Sequence, residues 1–153
     1  SFQIKAKRVT ILDHHAQGFC AVIRHGERAD NVPYEAMGIE MEEIQDPPLT
    51  PRGIDQAICT CKFFKQYFEE NGYTDIVIES SPFLRSLQTA SEVAKILGTK
   101  EIKINYLLSE WMKHSFFTSN PIHTLLLTTK GQEYVEQKYL GGVALNIDLS
   151  PKR

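Results

Sequence analysis

The sequence predicts an α/β fold in which a parallel sheet is flanked by helices. Short apolar or β-branched runs at residues 19–23, 75–79 and 101–106 alternate with two longer amphipathic segments. This alternation is typical of parallel sheets, because two parallel neighbours need a long crossover connection between them. At 153 residues the chain is expected to form a single domain over residues 1–153.

The remaining segments are predicted from their composition. Residues 2–12 mix apolar and basic side chains and are expected to form an edge strand or an arm. Residues 19–23 are continuously apolar, as expected of a central strand covered on both faces. Residues 29–48 are polar and predict a long loop, and residues 129–139 predict one more short helix.

Two longer helices are predicted to begin with a Ser-Pro or Thr-Pro pair and to end at a glycine. Thr50 is the predicted N-cap of the first helix, with Pro51 in its first turn and Gly72 at its end. Ser81 is the predicted cap of the second helix, which ends at Gly98. Apolar residues recur at three- and four-residue steps in both segments, so each helix is expected to bury one face.

Composition argues against several classes of function. A net charge of −2 argues against nucleic acid as a partner. No apolar stretch approaches the roughly 20 residues of a membrane span, so no membrane role is expected. The odd cysteine count favours a reducing compartment, and a cytoplasmic location is expected. Cys59 and Cys61 would face different sides of a helix, and no metal site is expected from them or from the histidines.

A charged motif, Arg24-His25-Gly26-Glu27-Arg28, directly follows the strand predicted at residues 19–23. Open α/β folds build their sites at the carboxyl ends of strands, so the imidazole of His25 is expected at that edge. Guanidinium groups are planar forks that match phosphate oxygens. The motif therefore predicts a phosphate site that contains a nucleophile.

Three further motifs follow along the chain. They are Asp46-Pro-Pro-Leu-Thr-Pro-Arg-Gly53 with Gln56-Ala57, Glu79-Ser-Ser-Pro-Phe-Leu-Arg85-Ser-Leu-Gln88-Thr-Ala90, and Leu107-Leu-Ser-Glu110-Trp111. Taken in order, the four motifs resemble the histidine phosphatase superfamily, whose fold is also called phosphoglycerate-mutase-like. Arg-His-Gly-Glu-Arg-x-Asp and the Glu-Trp pair are similar to the phosphatase branch, and in particular to the C-terminal domains of suppressor-of-T-cell-receptor-signalling phosphatases. Cofactor-dependent mutases more often show Arg-His-Gly-x-Ser-x-Trp-Asn, and this chain lacks that Ser and Trp.

The resemblance implies a three-layer α/β sandwich with a mainly parallel sheet, and an enzyme that needs no metal or other cofactor. His25 would attack phosphorus and become a phosphohistidine, which water then hydrolyses. Arg24, Arg28 and Arg85 would hold the phosphate oxygens and stabilise the transition state. Glu110 would protonate the leaving oxygen.

Each role has a structural alternative. A lone histidine after a strand is commonly a structural residue, but the flanking Arg24 and Arg28 favour a functional role for His25. Arg85 could be a solvated residue in the first turn of its helix. A positive charge near a helix N-terminus opposes the macrodipole, however, so a bound anion explains the position of Arg85 better. Glu110 as a surface carboxylate and Trp111 as a packing residue also stay open. The remaining motif residues are expected to be turn, cap or packing residues: Thr50, Gly53, Gln56, Ser80 and Ser81.

The chain departs from the superfamily pattern at a second catalytic histidine, which members carry in a Val-x-His-Gly-like motif after a late strand. His114 and His123 do not fit that motif. Three explanations are open: a fragment that lacks its C-terminal part, a strand supplied by another chain, or a member that binds phosphate without turning it over. A fragment with one incomplete domain is the expectation.

The function expected from these residues is hydrolysis of phosphate monoesters through a phosphohistidine at His25. A phosphoglycerate mutase and a non-catalytic module that binds phosphorylated ligands are the alternatives, with a purely structural role third. The substrate is expected to be a phosphorylated small molecule or a phosphoprotein. Its selectivity would lie in residues 29–48 and 116–128. A homo-oligomer is left open.

Overall fold

The computed structural model describes residues 2–8, 18–31, 46–110 and 129–147. From the second strand onward, strands and longer helices alternate. The elements are β1 (Phe2–Arg8), β2 (Gly18–Ile23), α1 (Pro51–Asn71), β3 (Tyr73–Ser80), α2 (Leu84–Leu97), β4 (Glu101–Ile104), α3 (Thr129–Tyr139) and β5 (Ala144–Asn146). Two short 3-10 helices, Ala29–Asn31 and Tyr106–Leu108, follow β2 and β4.

The described strands form one sheet in the order β2-β1-β3-β4-β5. β3, β4 and β5 pair in parallel, and β1 pairs antiparallel with both β2 and β3. β2 therefore runs in the same direction as β3, and the predicted α/β fold with a mainly parallel sheet is confirmed. The crossover through α1 connects two strands that are not adjacent in the sheet.

β1 fills the position between β2 and β3, which corrects the prediction of an edge strand or arm for residues 2–12. Phe2 lies opposite Ile23 on one side and Ser80 on the other. The composition of a strand shows which of its faces is apolar. It does not show which two strands will lie beside it, because that depends on the space the rest of the sheet leaves.

One face of the sheet carries the helices and the core. Ala21 and Ile23 of β2 point into a cluster that also contains buried residues of all three helices, whereas Cys20 and Val22 alternate outward. Val22 is 68% exposed and β2 lies at the edge of the described sheet, so the expectation of a central strand covered on both faces was wrong. Of the three predicted layers, the described residues supply the sheet and one layer of helices.

α1 follows its sequence pattern closely. Thr50 is the N-cap, and its hydroxyl accepts from the Gly53 N–H at 2.9 Å. Gly72 ends the helix with φ of 68°, a left-handed conformation that glycine adopts without a steric cost. The predicted stripe contains the buried side chains of Ala57 and Cys61, and Cys59 on another face is exposed, as its spacing predicted.

α2 begins differently from the prediction. Its N-cap position is Phe83, which makes no side-chain cap, and the Leu84 N–H donates instead to the carboxylate of Asp46. The expected cap at Ser81 was therefore wrong. The competing acceptor lies 38 residues earlier in the chain, and no local pattern shows it. The predicted end at Gly98 is confirmed, with φ of 73°.

Of the last two described elements, the sequence pattern predicted one and not the other. α3 lies where the short helix was expected, but β5 was not predicted, because three residues are too few to show a periodicity. Leu145 of β5 is buried and lies opposite Ile102 of β4. Among the described helices, none combines the length and apolar character that a membrane span requires.

Candidate active site

Side chains from three segments line one pocket at the carboxyl edge of the sheet. The segments are the end of β2, the β3–α2 junction and the residues after β4, and the cavity is about 480 Å³ in volume. Its lining consists of Val22, Arg24, His25, Arg28, Ser81, Phe83, Arg85, Ser86, Leu108, Ser109 and Glu110. The five residues that the sequence singled out are therefore brought together.

His25 presents one free ring nitrogen to this pocket. Its Nδ1 lies 2.7 Å from the carbonyl oxygen of Gly26, which can only accept, so Nδ1 carries the proton. Nε2 has no hydrogen-bond partner among the described residues and keeps its lone pair. Burial, followed by the charges of Arg85 and Arg24, lowers the pKa of His25. The neutral, nucleophilic imidazole therefore persists to lower pH than an ordinary histidine allows.

The backbone of residues 24–29, the His25 loop, is anchored at both sides. The Gly26 N–H donates to the Thr89 hydroxyl at 3.2 Å, which ties the loop to α2. The Glu27 N–H donates to the Gln56 amide oxygen at 2.9 Å, which ties it to α1. The Glu27 carbonyl in turn accepts from the Thr50 N–H at 2.9 Å. These bonds fix the loop without using any group that faces the pocket.

Two glycines allow the loop to pack directly on the first turn of α1. A Cβ on Gly26 would lie 2.3 Å from the carbonyl oxygen of Gly53, and a Cβ on Gly53 would lie 2.3 Å from that of Glu27. Thr50 adds a side-chain link, since its hydroxyl donates to the Glu27 carboxylate at 3.0 Å. The structural interpretation of Thr50, Gly53 and Gln56 is confirmed.

Arg85 lies buried in the first turn of α2, with only 3% of its side chain exposed. Its guanidinium carbon lies 4.3 Å from the centre of the Phe83 ring. Nη1 is 3.5 Å from Asp46 Oδ1, and Nη2 donates to Glu110 Oε1 at 2.5 Å. The solvated interpretation of Arg85 is therefore wrong, because this buried charge is held by two carboxylates and a ring.

Arg24, Arg28 and Glu110 are more accessible than Arg85. The Arg28 guanidinium forms a two-pronged pair with Asp30, in which Nε donates to Oδ1 at 2.9 Å and Nη2 to Oδ2. Arg24 is exposed and makes no ion pair with a described residue, and the Glu110 side chain is 52% exposed. Three carboxylates therefore balance the three guanidinium charges around the pocket: Asp30, Asp46 and Glu110. Arg24 lines the pocket without a carboxylate partner among the described residues, so its guanidinium group is available to a phosphate oxygen.

The structure does not describe every residue that the sequence analysis discussed. Trp111, His114 and His123 lie outside the described residues, as do His14 and His15. Within the described ranges, no three His, Cys, Asp or Glu side chains are grouped so that they could hold a metal ion.

Two residues have roles at this site that the sequence pattern did not predict. Asp46 was noted only as the first residue of a motif, and Phe83 was not singled out. Their partner Arg85 is remote from Asp46 in the chain, so its position between them becomes visible only in the folded structure.

The fold and the pocket define an α/β protein in which an imidazole lies among guanidinium groups at the carboxyl edge of a mainly parallel sheet. The family model described as histidine phosphatase superfamily (branch 1) matches residues 20–116, more than half of the chain. The chain therefore belongs to this superfamily, most of whose members are phosphatases and mutases. The matched range includes all five residues of the candidate site. No curated protein matches the sequence, and the finer similarity to suppressor-of-T-cell-receptor-signalling phosphatases stays a prediction.

Proposed function

We propose that this chain is a phosphatase that hydrolyses phosphate monoesters through a phosphohistidine at His25, without a metal ion. The observation that carries the proposal is the Nε2 of His25, which has no hydrogen-bond partner among the described residues. Burial favours the neutral form of this imidazole, and it lies in a pocket with three guanidinium groups. A neutral imidazole is the nucleophile that this chemistry needs. The substrate would be a phosphorylated small molecule or a phosphoprotein.

The proposed reaction has two balanced steps. In the first, the substrate takes the place of Glu110 on Arg85, and the released carboxylate takes up a proton from solvent. The Nε2 lone pair then forms a P–N bond, the ester P–O bond breaks, and the leaving oxygen takes that proton from the Glu110 carboxyl group. In the second, water attacks phosphorus and gives a proton back to the Glu110 carboxylate, and the P–N bond breaks. Guanidinium groups of Arg24, Arg28 and Arg85 would stabilise the charge on the equatorial oxygens in both steps.

One observation favours hydrolysis over the mutase alternative. A mutase must retain its phosphoglycerate while the phosphoryl group returns to it, which requires exclusion of water. Here the carboxylate of Glu110 is 52% exposed, so water has access to the proposed acid. The non-catalytic alternative explains the arginines. It gives no purpose to an imidazole nitrogen that has no hydrogen-bond partner among the described residues and shares a pocket with Glu110.

The test is hydrolysis of p-nitrophenyl phosphate in the presence of a chelator by the wild-type chain and by His25→Ala. We expect turnover to fall at least about 1,000-fold in the variant, since the nucleophile is removed. Lys62→Ala, on the exposed side of α1, is the matched control and should keep full activity. Phosphorus NMR of a rapidly quenched wild-type reaction should show phosphohistidine.

Three other outcomes would contradict the proposal. An active His25→Ala enzyme would exclude the phosphohistidine mechanism. Interconversion of phosphoglycerates on addition of bisphosphoglycerate, faster than hydrolysis, would indicate the mutase. Saturable vanadate binding with no turnover would indicate the non-catalytic module.

A further inference from the structure

The pocket has two halves, the His25 loop on one side and Arg85 with the start of α2 on the other. Residues 46–50, the connecting segment, are hydrogen-bonded to both. Toward the His25 loop, the Pro48 carbonyl accepts from the Ala29 N–H at 2.8 Å. Toward α2, the Leu49 N–H donates to the Gln88 amide oxygen at 2.7 Å. Pro48 and Leu49 are buried, so these bonds are shielded from water. The connecting segment therefore links the His25 loop to α2.

Asp46 forms the end of this segment nearest Arg85. Both of its carboxylate oxygens accept from the Leu84 N–H, at 2.9 and 3.0 Å, so the carboxylate caps α2 from outside the helix. The same carboxylate lies 3.5 Å from Arg85 Nη1. With 13% of the Asp46 side chain and 3% of the Arg85 side chain exposed, the pair is largely removed from water.

We propose that Asp46 is a positioning residue that fixes the Arg85 guanidinium relative to His25. The inference rests on the proposed function, in which Arg85 holds the phosphate. An arginine side chain is long and flexible, and its planar fork binds phosphate well only when it is held in one orientation.

Asp46 is the contact that fixes this orientation. Glu110 is half exposed, and the Phe83 ring contacts the face of the guanidinium without fixing its rotation. The carboxylate of Asp46, in contrast, is itself anchored to the backbone of α2.

The sign of the charge supports a positioning role. A carboxylate near a phosphate site repels the anion, so by charge alone Asp46 would weaken phosphate binding. Neutralising a merely electrostatic Asp46 would then tighten the binding of an anion. Neutralising a positioning Asp46 would weaken the binding of an anion, because Arg85 Nη1 would lose its anchored partner. The orientation of the guanidinium group would then depend on Glu110 alone. The two roles predict opposite changes in one measurement.

The deciding experiment measures orthovanadate affinity and melting temperature for Asp46→Asn. The asparagine oxygen can still accept from the Leu84 N–H, so the cap is kept while the charge beside Arg85 is removed. We expect vanadate binding about tenfold weaker, with the melting temperature lowered by less than about 5 °C. Asp55→Asn, at an exposed aspartate of α1, is the matched control and should leave both values unchanged.

Two further variants separate positioning from a structural role. Asp46→Glu keeps the charge and should recover at least half of the lost binding energy, even if Asp46→Asn folds poorly. In an Arg85→Gln background, Asp46→Asn should change vanadate affinity by less than about twofold, since the group it acts through is gone.

The outcomes that overturn the inference differ from those that overturn the proposed function. Unchanged or tighter vanadate binding by Asp46→Asn, or the same loss with and without Arg85, would overturn the positioning role and leave the phosphatase proposal standing. A wild-type chain that neither binds vanadate nor hydrolyses p-nitrophenyl phosphate would overturn both.

Discussion

The two halves of the pocket are held in place by different kinds of interaction. The His25 loop is fixed by its own backbone, through hydrogen bonds to Thr89 and Gln56 and a glycine–glycine contact. Arg85, on the opposite half, is fixed by its side chain, through ion pairs and an aromatic ring. Backbone packing therefore sets the position of His25, whereas ion pairs set the position of the Arg85 guanidinium group.

The difference matters for what each half can do when a ligand arrives. The loop packs closely on the first turn of α1, since an extra atom at Gly53 would overlap the Glu27 carbonyl. The Arg85 half contains one anchored carboxylate, Asp46, and one half-exposed carboxylate, Glu110. A phosphate that binds Arg85 must compete with Glu110, so the proposed acid is also a counter-ion that the substrate displaces.

The largest effect is expected where the backbone packs against itself. Alanine usually stabilises a helix by about 1 kcal/mol relative to glycine. At Gly53 we expect the opposite, a destabilisation of about 3 kcal/mol, because the new Cβ would lie 2.3 Å from the Glu27 carbonyl oxygen. Vanadate binding should weaken in parallel as the His25 loop is displaced. Chemical denaturation and vanadate titration of Gly53→Ala measure the two effects.

Gly72→Ala is the control for this prediction. Its φ of 68° favours glycine, but no atom lies within 4 Å of the added Cβ, so only backbone strain of about 1 kcal/mol is expected and vanadate binding should be retained. A Gly53→Ala protein as stable as the wild type would show that the loop is not held by this contact.

A smaller effect is expected on the Arg85 half, with opposite signs for binding and turnover. Glu110→Gln removes the counter-ion and should tighten vanadate binding about two- to fivefold, since a half-exposed ion pair is worth up to about 1 kcal/mol. Hydrolysis of alkyl phosphates should fall at least about 100-fold without the general acid, and p-nitrophenyl phosphate should lose less, because its leaving group needs little protonation.

Glu133→Gln, at an exposed glutamate of α3, should change neither vanadate affinity nor turnover. Weaker vanadate binding by Glu110→Gln would mean that Glu110 supports the phosphate site instead of competing for Arg85. Equal losses for both substrates would argue against proton donation by this carboxyl group.

The smallest effect is expected on the pH dependence. Burial is the main cause that lowers the pKa of His25, and Arg24 contributes less than Arg85. Arg24→Gln should therefore raise this pKa slightly. Because the protonated imidazole is inactive, activity falls as the pH drops through the pKa, and the acid limb of the variant's profile should lie at higher pH than that of the wild type.

NMR titration of the His25 ring in the two proteins measures the shift directly. Lys62→Gln, which removes an exposed positive charge on α1, is the comparison. An acid limb that moves to lower pH in Arg24→Gln would show that Arg24 does not act on His25 through its charge.

The parts of the fold that were predictable are those whose causes are local in the chain. The ends of α1 follow from Thr50 and Gly72, because a cap bonds its own helix. The cap of α2 was assigned wrongly to Ser81, because its real partner comes from a distant segment. β1 was placed at an edge for a related reason, since neighbours in a sheet are chosen by the whole topology.

By itself, the sequence determined the class of fold, the superfamily and the five residues that face one another in the pocket. Apolar periodicity and the chemistry of Arg, His and Glu are properties of short stretches of chain, so they can be recognised without knowledge of the tertiary structure. Only the tertiary structure decided that β1 lies between β2 and β3, that Gly26 and Gly53 leave room for each other, and that Asp46 anchors Arg85. Each of these is a contact between groups that are remote in the chain, and close packing, not local preference, selects which of them form.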